Sequence, residues 1–434
     1  PEDLTMDAPN ILLIIPHDLG LFLGAYGNNS TVSPHIDRLA GAGVRFTNCF
    51  TTCPECTASR GSLMTGLQPH QNGLMGLSSF GSSLRTPHLA ERLRSHGYRT
   101  HQFGFQHETH GAVADLGYDR VHTVPDRSAS QVCKSVSAFL RSTEAADHAP
   151  WFAYVGFKDV HRRWASLSES RFDPAEVDVP PWLPDHPIVR KELARFHQDI
   201  EVMDAAVGSV LDTLHDTDVG ERTLVVFTTD HGAAFPGAKA TLYDPGINIP
   251  MIMRRPGHID GGLEEETMIS SMDLTPTLLD FAGADVPDGL EGRSFAPLLR
   301  GERYQPREEV SGGLFYDVAY DPAHYVRTNA FKYIRSFAVT EKDRRNADSG
   351  TLSTYEGGRW VRLDDFDVLT SPAWQTLAPA GGAPKPEREE LYDLRSDRWE
   401  RRNLSSDPDS RSILDSMRVR LRRMMERTRS PLLD

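Results

Sequence analysis

Hydrophobic positions fall into two kinds of run that alternate along the chain. Short continuous runs, rich in β-branched and aromatic residues, are typical of strands buried on both faces of a parallel sheet. They cover residues 10–15, 44–50, 98–105, 151–157, 223–229 and 251–253. Longer runs with apolar residues three or four positions apart predict amphipathic helices. These cover residues 34–41, 89–96, 129–141, 192–214 and 274–282. The alternation predicts an α/β domain with a large, mostly parallel sheet sandwiched by helices.

The composition changes near residues 301–310, and a different pattern follows. Short aromatic runs predict antiparallel strands at residues 314–320, 324–328 and 331–336. A stretch rich in Pro, Gly and Ala predicts a long loop over 370–388. The amphipathic pattern of 410–429 predicts a terminal helix with a solvated, Arg-rich outer face. We therefore predict a large domain over 1–305 and a smaller α+β domain over 306–434, which carries the antiparallel sheet and the terminal helix.

Composition and charge narrow the class of protein. The chain has 434 residues, of which 39% are hydrophobic and 25% charged, as in folded globular proteins. The formal net charge of −14 disfavours a nucleic-acid partner, because phosphate binding needs a basic face. The longest apolar run is shorter than the roughly 18 residues of a membrane span, and the first residues lack a signal-peptide pattern. We expect a soluble protein, cytoplasmic or exported, with no membrane or nucleic-acid partner and with a homo-oligomer left open.

Polar side chains directly follow four of the predicted strands. Ligands bind at the carboxyl ends of the strands in open α/β sheets, so these positions are candidates for a site. They are His17 and Asp18; Gln106, His107 and His110; Lys158, Asp159, His161 and Arg162; and Asp230 and His231. A single histidine is usually a solvated loop residue. Four such strand ends together favour a shared metal or catalytic site.

The residue types indicate the chemistry of that site. Those that commonly bind metals are His17, Asp18, Asp230 and His231. Carboxylates by themselves favour Ca²⁺ or Mg²⁺, whereas added imidazoles favour Mn²⁺ or Zn²⁺. His107, His161 and Lys239 are then left as acid–base groups or as cations that hold an anion.

Three of the four cysteines lie within eight residues, at Cys49, Cys53 and Cys56, and the fourth is Cys133. Four cysteines in a chain of this length do not form a disulfide framework. The spacing of the first three matches that of a radical iron–sulfur enzyme. Cys53 and Cys56 alone could form a redox pair, and small buried thiols are the simplest interpretation.

The residues after Cys56 decide between these interpretations. Cys56-Thr-Ala-Ser-Arg60, followed by Leu63-Met-Thr-Gly66, resembles the signature of type I, formylglycine-dependent sulfatases of the alkaline phosphatase superfamily. In that family the motif cysteine is oxidised to formylglycine after translation, and Ala58 is an accepted variant of a more common Pro. The continuation over 67–73 is most similar to the heparan N-sulfatase (sulfamidase) branch. Further resembling segments are 9–11, 33–39, 229–232, 272–277, 390–394 and 403–404.

The resemblance implies a mechanism. Cys56, as formylglycine, is hydrated beside a divalent metal, which lowers the pKa of a bound oxygen. One hydroxyl attacks sulfur and displaces the alcohol or amine, and the second hydroxyl expels sulfate. The catalytic residues implied are Cys56, Arg60, His107, His161 and Lys239. The metal ligands implied are His17, Asp18, Cys56, Asp230 and His231, and the ion implied is Ca²⁺, with Mn²⁺ or Mg²⁺ as alternatives.

Roles within this set also follow from the resemblance. Arg60 orients the formylglycine, and His107 is the base that helps to expel sulfate. His161 binds sulfate or protonates the leaving group, while Lys239 contacts the sulfate oxygens. The partners implied are a small or oligosaccharide sulfate substrate and a formylglycine-generating maturation enzyme.

Two positions depart from the family pattern. His17 stands where most members have a second Asp, so either His17 is a ligand or the site has one carboxylate fewer. Phe105 stands where the family usually carries a Lys, two residues before His107, and Arg162 or another cation would have to replace it. Losing one charged donor in a dry site costs on the order of 10²–10³ in rate.

The sequence therefore predicts a hydrolase of sulfuric esters or sulfamates that releases sulfate from a sulfated sugar. The alternatives are a phosphodiester or phosphonate monoester hydrolase on the same scaffold and a non-catalytic glycan-binding relative. The acidic net charge predicts a short or singly sulfated substrate. Loops at 71–85, 162–190 and 315–325 are expected to contact it, through Arg85, Arg162, Arg163, Trp164 and Tyr316.

Overall fold

The computed structural model describes residues 8–76, 83–162, 164, 170–316, 320–337, 367–368, 371–377 and 387–433. The strands are β1 Asn10–Ile15, β2 Val44–Phe46, β3 Cys49–Phe50, β4 Arg99–Gly104, β5 Arg120–His122, β6 Trp151–Gly156, β7 Thr223–Thr228, β8 Met251–Arg254, β9 Leu263–Glu265, β10 Ile269–Ser270, β11 Val310–Tyr316, β12 Tyr320–Arg327, β13 Phe331–Ser336 and β14 Glu389–Asp393.

The helices in the described residues alternate with these strands, as the sequence pattern predicts. They are α1 Pro34–Gly41, α2 Cys56–Thr65, α3 Pro69–Asn72, α4 Leu89–Ser95, α5 Ala129–Leu140, α6 Thr143–Ala146, α7 Pro187–His215, α8 Asp244–Ile247, α9 Leu274–Phe281, α10 Ala296–Leu299, α11 Pro372–Leu377 and α12 Arg411–Thr428. None of the helices in these parts of the chain is long and apolar enough to cross a membrane.

Eight strands form the large sheet, in the order β5-β4-β6-β1-β7-β8-β2-β9. All neighbours pair in parallel except β8, which is antiparallel to both β7 and β2. The central strands β6, β1 and β7 are buried along their whole length, which explains their continuous apolar sequence. The predicted large, mostly parallel sheet is confirmed.

Helices cover both faces of this sheet, and alternate residues of β1 enter two different cores. Leu12 and Ile14 pack with residues of α1, α5 and α7. Ile11, Leu13 and Ile15 pack with residues of α2, α4 and α9. Because side chains alternate across a strand, a fully apolar β1 stabilises both layers at once.

The C-terminal strands form a separate antiparallel sheet in the order β11-β12-β13-β14. One face packs on α12 through a small core that includes Tyr333 and Leu421. The other face packs against Phe50 and against Ala58 in α2. This second sheet therefore supports the helix that begins at Cys56. The boundary between residues 305 and 306 stays a prediction.

Some details differ from the sequence expectations. The run 44–50 is two strands, since β2 joins the large sheet whereas β3 pairs with β10. Helix α7 begins at Pro187, five residues before the predicted start, because His186 accepts a hydrogen bond from Ile188 N and Pro suits the first turn. Within the predicted loop 370–388, the described residues include the short helix α11. The Arg-rich face of α12 is partly paired with acids, as in the Arg418–Glu389 contact.

Candidate active site

The carboxyl ends of four parallel strands bring the predicted residues to one place. His17 and Asp18 follow β1, and Asp230 and His231 follow the adjacent β7. The loops are tied together by backbone hydrogen bonds, from His17 N to the Asp159 carbonyl at 2.8 Å and from Gly20 N to the His231 carbonyl at 3.1 Å. Part of the predicted set therefore converges, whereas His110 and Lys158 are exposed.

Five side chains form a buried group whose ligand atoms all lie within 4.8 Å of one another. They are His17, Asp18, Cys56, Asp230 and His231. The shortest contacts are between Asp18 Oδ1 and His17 Nδ1, at 2.5 Å, and between Asp18 Oδ1 and His231 Nε2, at 3.2 Å. Cys56 Sγ lies 3.4 Å from His231 Nε2. These five are the residues that the sequence assigned to a metal.

The backbone around Asp18 is shaped to make this convergence possible. Asp18 has a left-handed φ of +53°, a conformation that is uncommon outside glycine and recurs at functional sites. Gly20 has φ +56°, and an added Cβ would lie 3.2 Å from Ala233 N. The loop after β1 therefore turns sharply against the loop after β7.

Asp230 joins the two loops through both of its carboxylate oxygens. Oδ1 accepts hydrogen bonds from the backbone N–H groups of Asp18 and His231, each at 3.0 Å. Oδ2 accepts from Arg60 Nε at 3.1 Å and from Arg60 Nη2 at 3.0 Å. Burial would raise the pKa of Asp230, but His17, His231 and Arg60 outweigh it and lower the pKa. Asp230 is therefore ionised across the physiological range.

Arg60 is fully buried. Its guanidinium contacts the Asp230 carboxylate, whereas the family resemblance implies that Arg60 orients the formylglycine at position 56. Besides Asp230, its guanidinium donates to Tyr154 Oη at 2.7 Å and to the Pro16 carbonyl at 3.0 Å. Ser59 of the same helix donates to the Asp230 carbonyl at 2.5 Å, so α2 is tied to Asp230 by two adjacent residues.

Cys56 is the first residue of α2. The preceding residue, Glu55, caps the helix by accepting hydrogen bonds from Thr57 N and Ala58 N at 3.0 and 2.9 Å. Burial raises the pKa of the Cys56 thiol well above its usual range, and although Lys239 opposes this, Glu55 and the nearby aspartates add to it. An unmodified Cys56 is therefore a protonated thiol and a poor nucleophile at neutral pH.

Lys239 borders the metal group on one side. Its Nζ donates to Asp18 Oδ2 at 2.7 Å and to Asp367 Oδ2 at 2.9 Å, and it lies 3.4 Å from His161 Nε2. Burial would lower the pKa of Lys239, but Asp18 and Asp367 outweigh it and raise the pKa. The ammonium group therefore keeps its charge although it is buried.

The two remaining histidines lie at the edge of the group. The ring centroids of His107 and His17 are 6.1 Å apart, and burial, together with His17 and Arg60, lowers the pKa of His107 well below its usual range. Burial and Lys239 lower the pKa of His161 to about 4. Both imidazoles are therefore neutral near pH 7, which suits hydrogen-bond acceptance and base chemistry.

Phe105, which stands where the family usually carries a Lys, lies beside the site. The Arg60 guanidinium lies over its ring at 5.4 Å from the centroid, and that of the exposed Arg127 at 6.0 Å. Arg162 does not replace the missing Lys, because it is bound to Glu192 at 2.7 and 3.0 Å. It also stacks on Trp164 at 4.3 Å.

Several expected substrate contacts therefore have a different role. Trp164 is buried and packs against Phe196 and Phe235, so it and Arg162 stabilise the core. Arg85 is exposed and stays a prediction. Arg163 and the side chain of Tyr316 lie outside what the structure describes.

Sequence reasoning missed Asp367 and Arg127. Asp367 reaches Lys239 from 128 positions away in the chain, and no local pattern marks it. Arg127 stands just before α5, and its carbonyl accepts from Lys158 N at 3.0 Å. The left-handed φ of Arg127, +53°, leaves no signal in its residue type.

The iron–sulfur interpretation of the cysteine spacing is not supported. All four cysteines are free and buried. In the described parts of the chain, Cys56 is the sole cysteine in a group able to hold a metal. Cys49 lies in β3, whose backbone pairs with Ile269.

The fold and the buried donor group define the class: a hydrolase-type site at the carboxyl edge of an α/β sheet. The family model described as Sulfatase matches residues 9–284, and the model described as N-sulphoglucosamine sulphohydrolase, C-terminal, matches residues 235–345. The N-sulphoglucosamine sulphohydrolase of Homo sapiens is 30% identical, over 97% of this chain and 91% of its own length. The chain belongs to the sulfatase family, and the resemblance stated from the motif is confirmed.

Solved structures agree on the fold. A protein in complex with its substrate D-glucosamine-2-N,6-O-disulfate has a TM-score of 0.72 at 18% identity, covering 98% of this chain and 99% of its own. The phosphonate monoester hydrolase of Agrobacterium radiobacter has a TM-score of 0.72 at 19% identity, covering 97% and 96%. At these identities the likeness concerns the architecture alone.

Proposed function

We propose that this protein hydrolyses a sulfate ester or sulfamate of a sugar, with a formylglycine made from Cys56 as its nucleophile. One observation carries the proposal: the signature residue Cys56 lies 3.4 Å from His231 Nε2, inside a buried group of carboxylates and imidazoles. Lys239 and His161 border that group as cation and acid–base group. The proposed nucleophile, the candidate metal site and the side chains proposed to bind the sulfate anion are thus adjacent.

Two relatives support a sugar sulfate as substrate. The human relative is an N-sulphoglucosamine sulphohydrolase, and a Delta 4,5-hexuronate-2-O-sulfatase of Bacteroides thetaiotaomicron is 26% identical over 96% of this chain. Both amine-linked and oxygen-linked sulfate are therefore candidates for the bond that this enzyme cleaves. Attack at sulfur and expulsion of sulfate are common to the two reactions.

The donor group fits a divalent cation. Asp18 and Asp230 bring two carboxylates to a buried place, and His17 and His231 add two imidazoles, with ligand atoms within 4.8 Å of one another. Such an ion lowers the pKa of a bound oxygen and stabilises charge that develops on it. The family resemblance implies Ca²⁺, with Mn²⁺ or Mg²⁺ as alternatives. The hydrated formylglycine at position 56 provides the attacking hydroxyl.

The surrounding side chains each have a defined task. Arg60 holds Asp230 in place through Oδ2. The neutral His107 accepts the proton that is released when sulfate is expelled. Lys239 keeps its positive charge for the sulfate oxygens, and His161, next to it, binds sulfate or passes a proton to the leaving group.

Residues 1–305 are proposed as the catalytic domain, and residues 306–434 as a smaller domain that completes the site. The contact of Asp367 with Lys239 supports this arrangement. A formylglycine-generating enzyme is the proposed maturation partner, because the family resemblance implies that Cys56 is oxidised after translation. A homo-oligomer stays a prediction.

The test is production of the chain with a formylglycine-generating enzyme, followed by mass spectrometry of the Cys56 peptide and turnover assays. We expect aldehyde mass at position 56 and release of sulfate from aryl sulfate or aryl sulfamate. Cys56→Ala should abolish turnover, whereas Cys133→Ala, which alters a buried cysteine of α5, should retain it. An active preparation that carries only thiol at position 56 contradicts the proposal.

A phosphonate monoester or phosphodiester hydrolase is the second candidate. The pair Asp230 and His231 brings an imidazole into the donor group, and a phosphonate monoester hydrolase shares the fold. Side-by-side kinetics on aryl sulfate, aryl sulfamate and a phosphonate ester separate the two candidates. A higher kcat/KM on the sulfur esters rejects the phosphonate candidate.

A further inference from the structure

The composition of the donor group has a consequence for which metal it can hold. Of its five members, two are imidazoles and two are carboxylates. Ca²⁺ takes six to eight oxygen ligands, which include carboxylates that bind through one or both oxygens, carbonyl groups and waters. Imidazole suits borderline transition ions such as Mn²⁺ and Zn²⁺. The donor set is therefore poor in the ligand type that calcium needs.

One carboxylate oxygen of each aspartate accepts hydrogen bonds from a buried cationic side chain. Asp18 Oδ2 accepts from Lys239 at 2.7 Å, so Oδ1 is the oxygen that faces the group. Asp230 Oδ2 accepts two hydrogen bonds from Arg60, and Asp230 Oδ1 accepts two from backbone N–H groups. Each carboxylate therefore already uses one oxygen on a buried cation, which favours binding of an ion through a single oxygen.

The imidazole of His231 is oriented as a metal ligand. Its Nδ1 lies 2.9 Å from the Gly232 carbonyl and donates to it, so Nε2 is the ring nitrogen that is left to bind an ion. That Nε2 lies 3.2 Å from Asp18 Oδ1 and 3.4 Å from Cys56 Sγ. In metal-binding histidines, the ring nitrogen that does not bind the metal usually donates to a partner such as a backbone carbonyl.

His17 lies between the two aspartates. Its Nδ1 lies 2.5 Å from Asp18 Oδ1 and 3.5 Å from Asp230 Oδ2. The ring is held from the sides by Phe105, at a centroid distance of 5.4 Å, and by His161, at 4.6 Å. A single ion that contacts both aspartates from this position also meets the His17 nitrogen.

We propose that this site selects a borderline first-row ion of the Mn²⁺ and Zn²⁺ class over Ca²⁺, and that His17 and His231 are responsible for the selection. The inference rests on the proposed function only in locating the metal at this group. Two nitrogens, two single carboxylate oxygens and the group at position 56 give a shell of about five donors, which suits the smaller ions.

The experiment uses the full chain, freed of metal with a chelator and then dialysed against Mn²⁺ together with Ca²⁺. We expect mass spectrometry of the bound metal to find Mn²⁺ retained in excess Ca²⁺. Pulsed electron paramagnetic resonance of the Mn²⁺ protein should detect nitrogen coupling from two imidazoles. Neither readout depends on catalytic activity.

Variants assign the selection to the two histidines. His231→Asn and His17→Asp should each lower the affinity for Mn²⁺ relative to Ca²⁺ by about 100-fold and remove the nitrogen coupling of one imidazole. His258→Asn, at an exposed position, is the matched control and should change neither value. If either variant fails to fold, the wild-type competition and spectrum still decide.

Two results would overturn the inference: equal or tighter binding of Ca²⁺, or bound Mn²⁺ without nitrogen coupling. Aryl sulfate turnover and formylglycine content measured on the same samples separate this outcome from failure of the proposed function. A calcium-loaded enzyme that releases sulfate refutes the metal selection alone. A site that retains Mn²⁺ with nitrogen coupling but shows no turnover refutes the function alone.

Discussion

Two buried clusters of charge in this protein have opposite designs. In the structural cluster, formed by Asp244, Arg327, Lys332 and Glu400, acids and bases are equal in number. Lys332 Nζ lies 3.0 Å from Asp244 Oδ1 and 2.8 Å from Glu400 Oε1, and Arg327 Nη2 lies 3.1 Å from Asp244 Oδ2. Arg327 also stacks over Phe50 at 4.1 Å. This cluster joins α8 to the antiparallel sheet.

The active-site cluster is not balanced in this way. Asp18, Asp230 and Asp367 contact two basic side chains, Arg60 and Lys239. Asp18 Oδ1 and His231 Nε2 lie 3.2 Å apart, and both lie within 4.8 Å of Cys56 Sγ. The comparison indicates that buried charges paired with an equal number of opposite charges stabilise the fold. A buried group whose donor atoms converge on one place instead forms a binding site.

The largest effect of a substitution is expected at Asp230, in the active-site cluster. Asp230→Asn should lower kcat/KM on the order of 10³-fold, because it removes a donor to the metal and releases Arg60. The loss is measured as aryl sulfate turnover with formylglycine content held equal. If the variant is folded and retains more than a tenth of the activity, Asp230 does not have the role given to it here.

The reciprocal change is Asp244→Asn in the structural cluster. It leaves Arg327 and Lys332 buried without their shared carboxylate and should lower the free energy of unfolding by about 3–5 kcal/mol. Denaturant unfolding measures this, and kcat of the folded protein should stay near the wild-type value. A large loss of kcat at unchanged stability would invert the comparison.

Glu400 gives the structural cluster a pH dependence. Burial raises its pKa from the ordinary value to about 7, although Lys332 opposes the shift. The folded state therefore holds a proton that the unfolded chain releases, so this contribution to stability is present in acid and is lost as pH rises through about 7. Glu400→Gln should remove that slope.

The measurement for Glu400 is the difference in free energy of unfolding between wild type and variant, followed from pH 4 to pH 8. Acidic residues elsewhere cancel in this difference. A difference that does not change with pH contradicts the assignment.

Asp367 tests how the active-site cluster handles anions. Its carboxylate shares the Lys239 ammonium, and Asp367→Asn should free that charge and tighten inhibition by inorganic sulfate about tenfold. It should also raise turnover of a polysulfated sugar relative to a singly sulfated one. Asp185→Asn, at an exposed aspartate paired with Arg190, is the control. Unchanged or weaker inhibition counts against the contact.

The smallest effect is expected at Arg127. Arg127→Ala should raise KM for a sulfated substrate by roughly threefold at low salt, because exposed charges contribute little and are screened. The comparison variant is Arg94→Ala, an exposed arginine of α4. If KM does not depend on salt in either protein, Arg127 does not replace the Lys that the family usually carries at the position of Phe105.

Much of the architecture could be predicted from the sequence, because it depends on local periodicity. The unbroken apolar runs of β1, β6 and β7 could satisfy burial only as central strands of a sheet covered on both faces. Polar residues directly after parallel strands must then meet at one edge. That rule, together with the motif at Cys56, was sufficient to find the five members of the donor group.

Other features follow from contacts that no local pattern encodes. Arg162 and Trp164 were predicted to bind substrate, but Glu192 and Phe235 hold them in the core. Arg60 reaches Asp230, 170 positions along the chain. Chain separation of this kind is decided by packing between layers, which residue spacing does not record.

The sequence by itself determined the family, the α/β class and the identity of the candidate nucleophile, since these depend on strand-length periodicity and on a contiguous motif. Only the tertiary structure decided which way the side chains point: that His17 and His231 face the aspartates, and that Asp367 joins Lys239. The physical reason is that periodicity specifies which residues are buried, whereas charge pairing in a buried site depends on the distances that folding creates between remote segments.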